Sequence, residues 1–341
     1  MMKAARIYEP GKIVVEEVPI PQLGEKDVLI KVHSVGLCGT DVGVVHGYVP
    51  AKFPVTLGHE FAGTVAQVGS TSLCELKEGD PVRASGGWGC GECEACQQGR
   101  GTFCKDRASL GRKTDGCMAE FVKVDYRAVD LLPPDISFDE AQNLSNIRCV
   151  LHAFNKIPAQ FRNSAVVFGP GNMGQIMLQI LKLKGTAQVV MVGTRDLRLE
   201  MAKSFGADHV VNVKQEDPVK AILGWYQEGV EVVVEATGIA SSLQNCCDVV
   251  KPQGAIVSLG IFSEKVKDFD FSFLYYKEPV IYGSRGASGT SQEAIQLLTE
   301  KKLQLLPMIT HRFPLEETAQ AFKVFEDKDE SALRIVIEPV A

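Results

Sequence analysis

Four cysteines, Cys90, Cys93, Cys96 and Cys104, fall within fifteen residues at spacings of three, three and eight. Four thiolates can close a tetrahedral shell around zinc, and Cys-x-x-Cys turns bring backbone N–H groups to the sulfurs. A closed shell leaves no open position, so such an ion is structural. A redox pair is the competing reading. Redox Cys-x-x-Cys motifs open a helix in a thioredoxin-like unit, however, and no such pattern surrounds this cluster. A disulfide framework belongs to oxidising compartments. The N-terminal stretch "MMKAARIYEPGKIVVEEV" has no apolar block followed by a cleavage site, so the expectation is a cytoplasmic protein with reduced thiols.

A second group stands upstream, in "GLCGTD" (36–41) and "LGHEFAG" (57–63). Cys38 is a soft anionic ligand, His59 a neutral imidazole, and Glu60 can ligate or support. Two or three protein ligands plus water make an open site of the catalytic type. A lone cysteine beside a strand and a lone histidine are as readily packing residues, so the residues by themselves leave both readings open.

A third group is "GPGNMG" (169–174), set between the apolar run "SAVVF" (164–168) and "QIMLQILKLKG". In the latter, Ile176, Met177, Ile180, Leu181 and Leu183 have helical spacing. Gly169 permits a tight turn, Gly171 lets the backbone approach a pyrophosphate, and Gly174 lets helix pack on strand. Asn172 and Met173 open the helix, whose free N–H groups and partial positive charge face the phosphates. The next strand, "AQVVMV", ends at Gly193, Thr194 and Arg195. An NAD binder usually carries a carboxylate there for the ribose hydroxyls. A small residue, a hydroxyl and a guanidinium instead suit a 2′-phosphate, so NADP is favoured over NAD, with Asp196 as a displaced acid the opposing consideration.

Elements must bring these groups together. At 341 residues the chain is long for one core, which points to two domains. Apolar content of 45% provides for a sizeable core. A net charge of −6 argues against a nucleic-acid partner, and no apolar run reaches membrane-spanning length. Residues before about 145 read as short strands: "KIVVEEV", "DVLIKVHSVG", "FAGTVAQVG", "VRAS" and "MAEFVKV". They suggest a barrel-like β domain interrupted by the cysteine loop. From about 150 the pattern alternates strand and helix through "LRLEMAKSFGAD", "VEVVVEA" and "AIVSLG", which implies a doubly wound parallel sheet. The segment "THRFPLEETAQAFKVF" reads as a helix and "ALRIVIEP" as a final strand returning to the first domain.

Together, "GLCGTD", "GHEFAGTVAQVG", the cysteine lobe, "GPGNMG", "VVVEATG" and "ITHRFPLEETAQAF" resemble the zinc-dependent medium-chain dehydrogenases over essentially the whole chain. Alcohol and polyol dehydrogenases of the sorbitol or threonine dehydrogenase type are the members it looks like. The resemblance implies an α/β architecture, a GroES-like β-barrel catalytic domain with an inserted Rossmann domain. The expected bounds are 1–149 plus 286–341, with a structural zinc lobe at about 88–106, and 150–285. It further implies two zinc ions. Cys90, Cys93, Cys96 and Cys104 would hold the structural one, and Cys38, His59 and Glu60 the catalytic one. Thr40 would hydrogen-bond the substrate oxygen and start a proton relay, and Asp41 would support the ligands. Substrate and nicotinamide would meet in the cleft, and relatives assemble as dimers or tetramers through the Rossmann sheet edge. The expected activity is hydride transfer between a secondary alcohol of a polyol, sugar or related metabolite and NAD(P).

Two positions depart from the family pattern. The usual third zinc ligand, Cys or Glu, aligns with Ser145 in "NLSNIR", so Glu60 is expected to take its place, with Cys149 a helical turn away. The usual relay histidine aligns with Gly43, and nearby His46 reads as a loop residue facing solvent. These departures keep two alternatives in view. One is a zinc-independent, NADPH-dependent reductase of activated double bonds. The other is a non-catalytic nucleotide-binding relic of a dehydrogenase.

Overall fold

The computed structural model describes residues 1–262, 265, 269–287, 289–327 and 332–340. The chain forms two compact units, Met1–Ser145 with Ser291–Ala341, and Asn146–Thr290. Residues 288, 328–331 and 341 of the expected 286–341 segment lie outside the described residues.

The first unit opens with strands β1 (Met2–Ile7), β2 (Ile13–Val18), β3 (Asp27–Gly36), β4 (Val55–Thr56), β5 (Phe61–Val68), β6 (Pro81–Ala84), β7 (Phe121–Asp125) and β8 (Val129–Leu131). Short helices α1 (Gly39–Val45), α2 (Glu94–Gln97) and α3 (Phe138–Ala141) interrupt them, and α4 (Leu144–Phe154) follows. The second unit carries β9 (Ser164–Phe168), α5 (Asn172–Leu183), β10 (Gln188–Gly193), α6 (Asp196–Ser204), β11 (His209–Asn212) and α7 (Pro218–Trp225). It continues through β12 (Val230–Glu235), α8 (Ala240–Val249), β13 (Val250–Ser258), α9 (Ser272–Lys277) and β14 (Val280–Gly283). The chain then returns to the first unit with α10 (Ser291–Thr299), β15 (Ile309–Pro314), α11 (Thr318–Glu326) and β16 (Arg334–Glu338).

In the first unit one sheet runs β15-β16-β3-β5-β6-β8, with β7 also on β3, and a smaller one runs β2-β1-β4. Inward-facing Val28, Ile30 and Val32 of β3 are fully buried and pack with Phe61, Val65, Val82, Val122 and Ile337. A register slip of one residue would turn that row outward, which fixes the pairing. The pairing matters for chemistry. Antiparallel β3 and β5 match Val35 to Phe61, so the residues just after β3 lie beside those just before β5. Strand β16 matches Val336 to Gly36 on the other side of β3.

In the second unit all pairings are parallel, in the order β11-β10-β9-β12-β13-β14. Strands β9 and β12 are buried at every residue. That is the signature of a sheet covered by helices on both faces, and it is the doubly wound sheet expected from the sequence. Among the described residues no helix is long and apolar enough to cross a membrane.

One expected element is corrected. The helix read over "THRFPLEETAQAFKVF" begins only at Thr318, and Ile309–Pro314 is strand β15. Parallel pairing with β16 supplies its hydrogen bonds, and Pro314 blocks helix propagation from that side.

Candidate active site

The end of β3 and the start of β5 place Cys38 beside His59 and Glu60, and their ligand atoms lie within 4.8 Å of one another. Cys38 caps α1 in extended conformation. Asp41, buried in the first turn of that helix, accepts the Cys38 N–H at 3.1 Å through Oδ2. Its Oδ1 lies 3.0 Å from His59 Nδ1. One carboxylate thus orients both ligands and leaves His59 Nε2 facing the cluster, a carboxylate–histidine brace typical of metal sites. Glu60 Oε1 stands 3.8 Å from that Nε2.

Behind Glu60 is a residue that sequence reading missed. Arg334, the first residue of β16, is 2% exposed, and its Nη1 lies 2.6 Å from Glu60 Oε2. Arg334 Nη1 also donates to the Leu37 carbonyl at 3.3 Å, Nε donates to Gln142 Oε1 at 3.1 Å, and Nη2 donates to the same oxygen. The guanidinium fills space left by Gly36, where a Cβ would stand 1.6 Å from Nη2. A sequence signal existed: an arginine inside the apolar run "ALRIVIEP" must be paired to be buried.

The charges suit a cation. Burial pushes the Cys38 thiol up, and Glu60 adds to the shift. For His59, burial opposes the charged form, but Asp41 and Cys38 outweigh it and raise the imidazole well above its usual value. The His59 shift reports the negative charge gathered around it, which a divalent ion would relieve. A thiolate, an imidazole and a carboxylate suit zinc and leave a tetrahedral position open. Of the other expected residues, Thr40 is the second residue of α1 and half-buried. Ser145 is the second residue of α4 and also half-buried. His46 ends α1 and pairs with Glu326.

The lobe cysteines Cys90, Cys93, Cys96 and Cys104 likewise converge within 4.8 Å. Cys90 and Cys96 sulfurs are 4.0 Å apart, close to the ~3.8 Å edge of a tetrahedron with zinc–sulfur bonds of about 2.3 Å. The Cys93 N–H donates to Cys90 Sγ, and the Cys90 N–H to Cys104 Sγ, each at 3.4 Å. Backbone N–H groups of Glu92 and Cys93 bring the Cys90 thiol down to about 7. All ten cysteines are free. Both donor sets therefore fit zinc.

In the second unit Gly169 follows β9 with φ +107°. A Cβ on Gly171 would meet nothing within 4 Å, and one on Gly174 would strike the Gly169 carbonyl oxygen at 1.9 Å. Asn172 and Met173 are the first two residues of α5. Gly193 closes β10 under Pro170, whose Cγ a Cβ there would meet at 2.3 Å. Thr194 is exposed and Arg195 caps α6. Asp196 accepts from Asn212 Nδ2 at 2.7 Å. Arg198, another residue missed in the sequence, sits one helical turn beyond Arg195. Burial, with Arg195 beside it, lowers Arg198 to about 10.

Residues 24–134 match the family described as "Alcohol dehydrogenase GroES-like domain", and 173–300 match "Zinc-binding dehydrogenase". Sorbitol dehydrogenase of Bacillus subtilis (strain 168) is 30% identical over 345 residues, covering 99% of this chain and 97% of the relative. D-arabitol-phosphate dehydrogenase of Enterococcus avium is 32% identical over 349 residues, with the same coverage. A structure from Sinorhizobium meliloti 1021, described as a zinc-binding dehydrogenase bound to NADP, superposes with TM-score 0.93 at 28% identity, covering 99% of each chain. These matches give the two units the GroES-like and Rossmann folds expected from the sequence.

Proposed function

Because the chain belongs to the zinc-dependent medium-chain dehydrogenase family and is an NAD(P)-dependent alcohol or polyol dehydrogenase, we propose that it oxidises a secondary alcohol of a polyol, sugar or related metabolite, with NADP as the favoured cofactor. The observation that carries this reading is the convergence of Cys38, His59 and Glu60 within 4.8 Å. A retired dehydrogenase or a zinc-free reductase has no use for that donor set.

Cys38, His59 and Glu60 would hold the catalytic zinc, and Cys90, Cys93, Cys96 and Cys104 the structural one. A zinc ion held there would lower the pKa of a hydroxyl bound to it far below that of a free alcohol, and would polarise a carbonyl in the reverse direction. The Thr40 hydroxyl would accept a hydrogen bond from the substrate hydroxyl and release its own proton outward as it takes the substrate's. Asp41 keeps the His59 ring turned, and Arg334 with Gln142 fixes one oxygen of Glu60 so that the other faces the ligands. Gly169, Gly171, Asn172, Met173 and Gly174 hold the pyrophosphate and orient the nicotinamide for hydride transfer.

Support for NADP comes from the tip of β10. Pro170 leaves no room for a side chain at Gly193, so no carboxylate can stand there for a 2′-hydroxyl. Asp196 is held by Asn212. Arg195 and Arg198, with Thr194, supply charge and hydrogen bonds for a 2′-phosphate.

A homodimer completes the reading. In β14, Val280 and Ile281 are 47% and 46% exposed, and β14 is the last strand of its sheet. A second copy pairing along β14 would cover both the apolar side chains and the open edge. The free cysteines fit a cytoplasmic setting.

The test is turnover of a polyol and polyol-phosphate panel with NADP+ and NAD+, after metal counting. Two zinc ions per chain and NADP+-dependent oxidation of at least one secondary alcohol are expected. One zinc per chain, or no turnover by protein carrying both, would overturn the reading.

A further inference from the structure

Sheet order in the second unit leaves a crevice at the carboxyl ends of β9 and β12. The chain leaves β9 towards β10 on one side, and β12 lies on the other, so the strand order reverses between them. Open α/β sheets bind their ligands at that point. The β9 side of the crevice is the glycine turn already described. The β12 side is Glu235-Ala236-Thr237-Gly238, and the two touch. A Cβ on Gly169 would stand 2.9 Å from Thr237 Cγ2 and 3.0 Å from the Ala236 carbonyl carbon. The Ala236 N–H donates to the Phe168 carbonyl at 2.9 Å.

Glu235 is fully buried, and among the described residues it has no ion-pair partner. A carboxylate in that position must be satisfied by hydrogen bonds alone. Its Oε1 accepts from the Thr237 N–H at 2.8 Å, from the Gly238 N–H at 3.1 Å and from the Thr237 hydroxyl. Its Oε2 accepts from the same Gly238 N–H at 3.2 Å. The Thr237 hydroxyl oxygen accepts in turn from the Ile239 N–H at 3.0 Å, at the entrance to α8. Space for the carboxylate is reserved, since a Cβ on Gly260 would stand 2.5 Å from Oε2. Every hydrogen bond the side chain makes goes to the turn that faces the glycine cradle.

We propose that Glu235 is a positioning residue for the dinucleotide: its buried carboxylate ties down the Thr237–Gly238 turn that, with Gly169, walls the nucleotide crevice. The inference goes beyond the choice between NADP and NAD, because Glu235 acts on the wall shared by both. It rests on the reading that this crevice holds the cofactor.

Glu235→Gln tests it. The amide keeps the shape of the side chain but removes its charge and, with its oxygen in the Oε1 position, sets an NH2 group against the Gly238 N–H at the Oε2 position. The control is Glu231→Gln, a buried glutamate at the other end of β12 whose partners are Asn163 and Lys251. Dissociation constants for NADPH and NADH are read from nicotinamide fluorescence without alcohol, alongside thermal melts. For Glu235→Gln the expected result is about tenfold weaker binding of both nucleotides, with cofactor KM raised and kcat nearly unchanged. Glu231→Gln should lower only the melting temperature. If Glu235→Gln does not fold, Thr237→Val decides: it keeps the branched shape, loses the hydroxyl, and should weaken both nucleotides about threefold. Unchanged dissociation constants in the folded variants, or an equal rise in Glu231→Gln, would overturn the positioning role alone. Wild-type protein binding neither nucleotide would overturn it together with the cofactor reading.

Discussion

Arg334 Nη1 lies 2.6 Å from Glu60 Oε2, and both side chains are buried. Strand β16 therefore supplies the counter-charge of the proposed third ligand. Glu60 has one oxygen committed to Arg334 and one facing His59, so under the proposed metal site it would ligate through a single oxygen. Arg334→Met removes the principal counter-charge of Glu60, which a metal ion would then have to replace. An unpaired buried carboxylate costs on the order of 3 kcal/mol, so the variant should melt far lower when stripped of zinc than when loaded. The measurement is the difference in melting temperature with and without chelator, compared with the wild type. The lobe contributes equally to both proteins and cancels. An identical zinc dependence in the two would count against the arrangement.

Asp41 touches both Cys38 and His59 and no lobe cysteine, whereas Cys96 belongs only to the lobe. Two variants should separate the sites. Asp41→Ala should weaken zinc at the Cys38 site by about 10- to 100-fold, so that a mild chelator leaves close to one ion per chain and turnover is lost. Cys96→Ser should instead lower the melting temperature, because a structural zinc contributes folding energy outright. Metal analysis after the same chelator challenge checks both. Two ions retained by Asp41→Ala, or a Cys96→Ser melt equal to wild type, would refute the division of labour.

Local patterns carried most of this to the sequence. The run "DVLIKVHSVG" is β3, residue for residue, and "SAVVF" is β9, because alternation and apolar runs are written locally. Both donor clusters were legible because groups able to bind a metal must be particular residue types. Three features were not. β15 depends on pairing with β16, a partner that local propensity does not reveal. Arg334 announced itself as a buried charge, yet nothing local names Glu60 as its partner. Pro170 over Gly193 is a contact between the turn after β9 and the last residue of β10, invisible until the two strands are placed side by side.

The β14 edge gives a prediction about assembly. Val280 and Ile281 are about half exposed on the last strand of the sheet, where hydrogen-bonding groups also stand open. Ile281→Lys places a charge where a second copy would pair. Light scattering should report a dimer for wild type and a monomer for the variant, with little loss of melting cooperativity. A monomeric wild type, or a variant that stays dimeric, would rule out this edge as the interface.

Cofactor choice gives the sharpest test, because two substitutions that look alike should behave differently. On the NADP proposal, Arg195→Ala would remove one charge-assisted contact to a 2′-phosphate, and such contacts contribute roughly 1.5–3 kcal/mol. KM for NADP+ should therefore rise at least about tenfold while KM for NAD+ barely moves, and Arg198→Ala should repeat the effect more weakly. Gly193→Asp would ordinarily convert such a site to NAD by adding the ribose acid. Here its Cβ would stand 2.3 Å from Pro170 Cγ and 2.6 Å from Cδ, inside the glycine turn itself. The carboxylate can enter only by displacing the pyrophosphate cradle, so binding of both cofactors should fall together. Steady-state kinetics with each nucleotide decides the matter. A Gly193→Asp enzyme that gains NAD+ efficiency would show that Pro170 yields, and that Gly193 reflects preference and not exclusion.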